Sequence, residues 1–285
     1  MPEPDPIAGL PPLRTVIAEH GLAARKALGQ NFLLDLNVTR RIARAAGPLG
    51  DAAILEVGPG PGGLTRALLQ EGAAQVIAIE RDGRCVSALQ DLAAVAGGRL
   101  TVIEGDALEI DIGALAERYG RLRVVANLPY NVATPLLIGW LRQTELFDRF
   151  VLMFQKEVAD RLAAAPGGKA YGRLAVAAQW RCRVRPLFNL PSRAFVPAPK
   201  VDSTVIELVP REAPLAPADP DRLEKVVAAA FGQRRKMLRA SLRTVFSQPE
   251  DVLRNCGIDP EARAETLEIA QFCALARALE AEPAR

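Results

Sequence analysis

Six positions in this chain carry groups suited to holding a nucleoside: Gly58, Gly60, Glu80, Asp106, Asn127 and Tyr130. Gly58 and Gly60 stand in Ile54-Leu-Glu-Val-Gly-Pro-Gly-Pro-Gly-Gly-Leu-Thr65, where four glycines fall within six residues. Glycine lacks a Cβ, so backbone there can lie against a ligand and adopt φ values closed to other residues. Glu80 ends the apolar run Gln75-Val-Ile-Ala-Ile-Glu80, about twenty positions on, where a carboxylate would accept hydrogen bonds from two ribose hydroxyls. Asp106 follows another apolar run, Leu100-Thr-Val-Ile103. It would accept from an adenine amino group or cap the segment after it.

Asn127-Leu-Pro-Tyr130 suggests what could be done to a second base. An exocyclic adenine nitrogen is a poor nucleophile because its lone pair is delocalised into the ring. Acceptors facing both amino hydrogens favour a pyramidal nitrogen and turn that lone pair outward, toward a sulfonium methyl group. The Asn127 amide oxygen and the Leu128 carbonyl are such acceptors, the latter exposed by Pro129, which locks the turn. Tyr130 adds a flat face for an extruded base. Catalysis of this kind rests on in-line positioning and electrostatics and needs no strong base. The plain alternative is a strand-end turn with a half-buried tyrosine. Both NAD and S-adenosylmethionine fit the glycines and Glu80, but only S-adenosylmethionine gives Asn127–Tyr130 a role. The lack of Gly-Lys-Ser/Thr argues against a P-loop.

The elements that must position these residues are strands alternating with helices. Ala52–Val57, Gln75–Glu80, Leu100–Ile103 and Arg123–Ala126 read as buried parallel strands, with helices from Leu64 and over 83–94. In such sheets ligands bind outside the carboxyl ends of the strands. Four successive strands thus deliver Gly58, Glu80, Asp106 and Asn127 to one rim. Ahead of them, Asn37 is a candidate N-cap for a helix over 37–46, and Gln30-Asn31 offers amides to a ligand's amino-acid end. Later, Phe150–Phe154 and Thr204–Val209 read as strands, Lys156–Ala164 and Tyr171–Ala178 as helices. The expected division is a tail and short helix over 1–24, an α/β domain over 25–210, and a small helical domain over 211–285. Residues 1–12, with five prolines, read as a loose tail, and Pro210–Pro220, with four, as a linker.

Composition narrows the class. The 285 residues are 49% hydrophobic and 24% charged, an ordinary globular balance. No run of about 18 apolar residues is present, and the acidic, proline-rich start is unlike a signal peptide. Four widely spaced cysteines without a CxxC read as reduced thiols of a cytoplasmic protein. The single histidine, His20, makes a Ser-His-Asp or histidine–metal centre improbable. Net charge is only +3, but 161–201 holds eight basic residues and no acid, and 226–249 five more without one. Such tracts suggest a polyanion surface, with a solvated face as the alternative. Strict alternation in Trp180–Arg185 puts Arg181, Arg183 and Arg185 on one strand face. A helix over 234–245 would set Arg235, Arg239 and Arg243 on one side and Leu238, Leu242 and Val245 on the other.

Taken together, these stretches resemble the ribosomal RNA adenine N6,N6-dimethyltransferases over nearly the whole chain after residue 24. The resemblance runs through Leu28-Gly-Gln-Asn-Phe-Leu33, the glycine turn, Gly105-Asp106, Asn127–Asn131 and Gln155-Lys-Glu-Val158. It continues in Tyr171-Gly-Arg173, Phe195-Val-Pro-Ala-Pro-Lys-Val-Asp-Ser203 and Phe231-Gly-Gln-Arg-Arg-Lys236. It implies a Rossmann-like methyltransferase sheet, mostly parallel with one antiparallel edge strand, followed by an all-α domain. It implies S-adenosylmethionine held by Asn31, Leu33, Gly58, Glu80, Asp106 and Asn127, with Gly60 added from the glycine turn. Tyr130 and Phe195 would hold the target adenine, Asn127 and Leu128 its amino group, and no metal takes part. The substrate implied is two adjacent adenosines near the 3′ end of small-subunit rRNA in a ribosomal precursor particle. RNA would be met by Arg181, Arg183, Arg185, Arg234, Arg235, Lys236, Arg239 and Arg243. A monomer without a membrane partner is expected. Large-subunit rRNA, and a mainly non-catalytic assembly role, remain as alternatives. Met237 and Ala240 depart from the Thr and Asn expected in the basic segment.

Overall fold

The computed structural model describes residues 6–24 and 29–281. The expected tail lies partly outside them, but from residue 6 the chain is anchored. Ile7 is buried, and α1 (Leu13–Glu19) follows Pro12. Val16 and Leu22 bury their side chains with Cys85 and Ala88. Next come β1 (Phe32–Leu33) and α2 (Leu36–Ala45). The cap of α2 is Asp35, not Asn37, for the Asp35 carboxylate accepts the Asn37 N–H at 2.8 Å.

The alternation then unfolds as the apolar runs dictate: β2 (Ala53–Val57), α3 (Gly63–Gln70), β3 (Gln75–Glu80), α4 (Gly83–Val95) and β4 (Leu100–Glu104). It continues through α5 (Ile112–Tyr119), β5 (Leu122–Ala126), α6 (Tyr130–Leu141), β6 (Phe147–Gln155) and α7 (Lys156–Leu162). Then come α8 (Arg173–Arg181), β7 (Cys182–Leu190), β8 (Phe195–Val196) and β9 (Ser203–Pro210). Every residue of β2 is buried, as a central strand covered on both faces requires. The sheet order is β4-β3-β2-β5-β6-β9-β7. β2 pairs in parallel with both β3 and β5, so the chain reverses its winding there and opens a crevice at the strand ends. β9 runs antiparallel to β6 and lies between it and the edge strand β7. β1 and β8 form a separate antiparallel pair, Leu33 opposite Phe195.

The chain divides into two compact units, Met1–Ala159 with Arg185–Val209, and Asp160–Val184 with Pro210–Arg285. Residues 160–184, through the start of β7, therefore group with the carboxy-terminal segment, unlike the division at 210 expected from the prolines. The second unit adds α9 (Pro220–Gly232), α10 (Leu238–Ser241), α11 (Pro249–Asn255) and α12 (Ile269–Ala278). Leu238, Leu242 and Val245 are in its core beside Trp180, Val226 and Phe272.

Two expected basic faces are corrected here. No helix spans 234–245: α9 stops at Gly232, a turn follows, and α10 begins at Leu238. The Leu238 and Arg239 N–H groups are taken by the Ala262 and Pro260 carbonyls at 2.8 and 3.1 Å, so a continuous helical ladder cannot form. Arg235, Arg239 and Arg243 consequently share no helix face. Likewise α8 runs through Arg181, and the strand starts only at Cys182. Arg181 lies over the Trp180 ring at 4.4 Å, leaving Arg183 and Arg185 as the exposed strand pair.

Candidate active site

A concave cavity lies at the carboxyl ends of β2, β3, β4 and β5. Its lining includes Asn31, Leu33, Gly58, Gly60, Glu80, Asp106, Asn127, Leu128, Pro129 and Tyr130. The structure thus brings together all but one of the expected cofactor and base-holding residues. The exception is Phe195: it is only 2% exposed and is packed in the core beneath the sheet's flank, outside the cavity lining. It stands opposite Leu33 in the β1–β8 pair, and both side chains are buried.

Gly58 and Gly60 have φ of +66° and +56°, the left-handed region. A Cβ on Gly58 would come within 3.2 Å of Pro129, and one on Gly60 within 3.0 Å of the Phe32 ring. The turn is thus wedged between the segment after β5 and the segment of β1. The Gly60 N–H donates to Glu80 Oε2 at 2.9 Å. The other carboxylate oxygen, Oε1, accepts the Arg81 and Asp82 N–H groups, each at 2.8 Å. Burial pushes the Glu80 carboxyl up, against the lowering effect of these three backbone donors.

Asp106 accepts the Leu108 N–H at 3.0 Å and the Arg81 guanidinium at 3.0 Å. It orders its own turn; the cap of α5 is Asp111. Asn127 donates Nδ2 to the Asn31 carbonyl at 3.1 Å. With the nitrogen committed, its Oδ1 is the acceptor left at the rim. Pro129 precedes α6 with φ −57° and ψ 128°, an extended turn that starts the helix at Tyr130. The Tyr130 hydroxyl is 2.6 Å from Ser203 Oγ, which fixes the ring, and burial pushes its phenol up.

Glu56, also in the lining, was not singled out from sequence. It is 1% exposed, accepts Thr65 Oγ1 at 2.7 Å, and its carboxyl is pushed up to about 8. Burial is the main cause; the Thr65 hydrogen bond opposes it and the Glu80 charge adds to it. A carboxylate inside the all-apolar run 52–57 was the signal that could have found it. The fit to S-adenosylmethionine is good: a Cβ-free turn, two carboxylates at successive strand ends and a fixed amide oxygen.

None of the basic candidates is among the cavity-lining residues. Arg234, Arg235, Lys236 and Arg243 are exposed. Arg234 donates to the Lys169 carbonyl at 2.7 Å, and Arg239 pairs with Glu261 at 3.3 Å. Arg185 is bound to Glu207 at 2.8 Å, a carboxylate it shares with Arg149.

Comparison with known proteins gives one consistent result. Residues 21–281 match the family profile described as Ribosomal RNA adenine dimethylase. The chain is 64% identical over 273 residues to the Ribosomal RNA small subunit methyltransferase A of Rhodospirillum rubrum, covering 96% of this chain and 94% of that one. It is 60% identical to the protein of the same name from Paramagnetospirillum magneticum, covering 96% and 97%. Among solved structures it is similar to a dimethyladenosine transferase from Plasmodium falciparum, with TM-score 0.75, 28% identity, and 86% and 96% coverage. It is also similar to the 23S rRNA methyltransferase ErmE, with TM-score 0.67, 26% identity, and 88% and 100% coverage. With this match spanning nearly all of its length, the chain belongs to the ribosomal RNA adenine dimethylase family and is an S-adenosylmethionine-dependent rRNA adenine methyltransferase.

Proposed function

We propose that this cavity dimethylates N6 of two adjacent adenosines near the 3′ end of small-subunit rRNA, within a ribosomal precursor particle. The observation that carries the reading is the Asn127 amide, pinned through Nδ2 to the Asn31 carbonyl so that its oxygen is kept as an acceptor. The small-subunit assignment is supported by relatives of 57–64% identity that bear that name.

S-adenosylmethionine, when bound, supplies an electrophilic methyl group on a sulfonium. Gly58, Gly60, Asn31 and Leu33 would hold its amino-acid part, Glu80 its ribose and Asp106 its adenine amino group. Asn127 Oδ1 and the Leu128 carbonyl accept the two N6 hydrogens of the target adenosine and turn its lone pair out of the ring. Tyr130, held by Ser203, stacks on the extruded base, which contributes about 1–3 kcal/mol. The proton lost from the alkylated nitrogen passes to water, because an aminium is acidic enough to need no base. Asn127 thus serves positioning and charge placement at once.

In this reading the protein acts in the cytoplasm, where its ribosomal substrate is, and as a monomer. Among the described residues no helix is long and apolar enough to cross a membrane. The test is mass spectrometry of rRNA from undermethylated subunits incubated with the purified protein and S-adenosylmethionine. Dimethyladenosine should appear in small-subunit rRNA, and Tyr130→Ala should slow its formation about tenfold at saturating RNA. Product in large-subunit rRNA alone would overturn the assignment.

A further inference from the structure

Nothing in the chemistry above uses Arg84, yet it is the junction of four segments. It sits in the first turn of α4, two residues past the capping Asp82. Its guanidinium grips the Asp82 carboxylate bidentately, Nε to Oδ1 at 3.0 Å and Nη2 to Oδ2 at 2.6 Å. The remaining nitrogen, Nη1, donates to the Gly21 carbonyl at 3.1 Å and reaches that of Ala23 at 3.5 Å. Asp82 Oδ2 also accepts Gln30 Nε2 at 3.1 Å, while the Asp82 N–H donates to Glu80 Oε1 at 2.8 Å. One path therefore runs from residues 21–23 through Arg84 and Asp82 to Gln30 and Glu80. Glu80 in turn holds the Gly60 N–H. The Gln30 end is itself part of the rim, since the next residue's carbonyl takes Asn127 Nδ2.

We propose that Arg84 is a positioning residue for S-adenosylmethionine, tying the amino-terminal segment and the Gln30–Leu33 loop to the Glu80 carboxylate. The inference rests on the cofactor site assigned above. Only a planar, five-donor guanidinium can hold a carboxylate side-on and still reach a backbone carbonyl. Asp82 is buried at 5% exposure, so it cannot exchange that partner for water at little cost. The Arg84 side is reinforced by the helix beneath it: Val16 and Leu22 bury against Cys85 and Ala88, and His20 meets Asp91 at 3.1 Å. The strong pairing also holds the Asp82 carboxyl down to about 2, chiefly through the Arg84 hydrogen bonds, so the junction is charged throughout the neutral range. Pulling Gln30 and Glu80 into register orders the loop before the cofactor arrives, and pre-ordering shows in affinity rather than in the transfer step.

The experiment compares wild type, Arg84→Ala and Arg84→Lys by calorimetric titration with S-adenosylmethionine and by steady-state kinetics on undermethylated small subunits. The Kd and KM for S-adenosylmethionine should rise about tenfold in Arg84→Ala, the scale of one lost charge-assisted contact, with kcat changed less than twofold. Arg84→Lys should recover only part of this, because one ammonium cannot bridge Asp82 and the Gly21 carbonyl together. Hydrogen exchange should show residues 29–33 less protected in both variants, with RNA affinity unaltered. If Arg84→Ala does not fold, Arg84→Lys decides alone. Variants that fold and bind S-adenosylmethionine within twofold of wild type would overturn the inference. Wild type that binds none would instead overturn the cofactor site beneath it.

Discussion

Gly60→Ala offers a test of the cavity with its own internal control. Gly60 lies at φ +56°, and Gly97, in the turn after α4, lies at +59°. Placing an L side chain in that region costs about 1–2 kcal/mol at either position. A Cβ at Gly97 meets nothing within 4 Å, whereas at Gly60 it meets Phe32 Cε1 at 3.0 Å and Cδ1 at 3.2 Å. Both contacts are tighter than ordinary packing, so either Phe32 gives way or the turn retreats. Retreat pulls the Gly60 N–H from Glu80 Oε2, now at 2.9 Å, and frees the carboxylate proposed to hold the ribose. A hydrogen bond to a charged group is worth about 1.5–3 kcal/mol, which is roughly 10- to 100-fold in cofactor affinity. Gly60→Ala should therefore lose more stability in urea than Gly97→Ala, and only Gly60→Ala should lose S-adenosylmethionine binding by calorimetry. Binding within twofold of wild type in Gly60→Ala, at the stability of Gly97→Ala, would refute the link between turn and carboxylate.

Two further outcomes follow from charge. Burial raises the Glu56 carboxyl from an ordinary 4.5 to about 8, so the folded state keeps a proton that the unfolded chain releases. Stability should then fall as pH climbs from about 4.5 to about 8, by at most ~1.4 kcal/mol per pH unit, and level off above; urea midpoints of Glu56→Gln should lack that slope, and a slope equal to wild type would exclude Glu56 as its source. Arg235 and Arg243 are exposed and, among the described residues, have no ion-pair partner, whereas Arg239 holds Glu261. Replacing Arg235 and Arg243 by Ala should lower the salt slope of small-subunit binding by about two units, and Arg239→Ala by less; an unchanged slope in the double variant would leave them a solvated surface.

The rim was legible because the parallel strands read as apolar runs, even the half-buried edge strand β4, and a carboxylate or asparagine at or just after the end of each stands out. Glu80, Asp106 and Asn127 are of that kind, and the glycine turn marks its own place. What could not be read is what the distant chain does to a local pattern. The i, i+4, i+8 arginines from Arg235 fit a helix until the Pro260 and Ala262 carbonyls claim its backbone donors. Trp180–Arg185 is too short to separate a helix end from a strand, and the helix extends two residues farther than alternation allows. Phe195 is followed by prolines that suggest a loop, but it stands opposite Leu33 in a strand pair and is buried. Asp35 and Asn37 are equally good caps by type, and only the fold chooses the first.

In the proposed mechanism no residue serves as acid or base, so the rate must come from groups that are already aimed, and the hydrogen bonds here are spent on aiming. Glu80 is held by three backbone donors, Asp106 by a backbone N–H and a guanidinium, Tyr130 by Ser203. The residue type at 127 follows from the same requirement. Its side chain must donate to the Asn31 carbonyl, which excludes an ionised carboxylate, and must also present an acceptor to an amino group, which excludes Lys and Arg. Serine could do both but lacks the reach of an amide one bond longer, and its rotating hydroxyl would leave the acceptor unaimed. An amide whose nitrogen is committed to the fold and whose oxygen is left for the substrate meets both demands, without a proton that could be lost at any pH the fold survives.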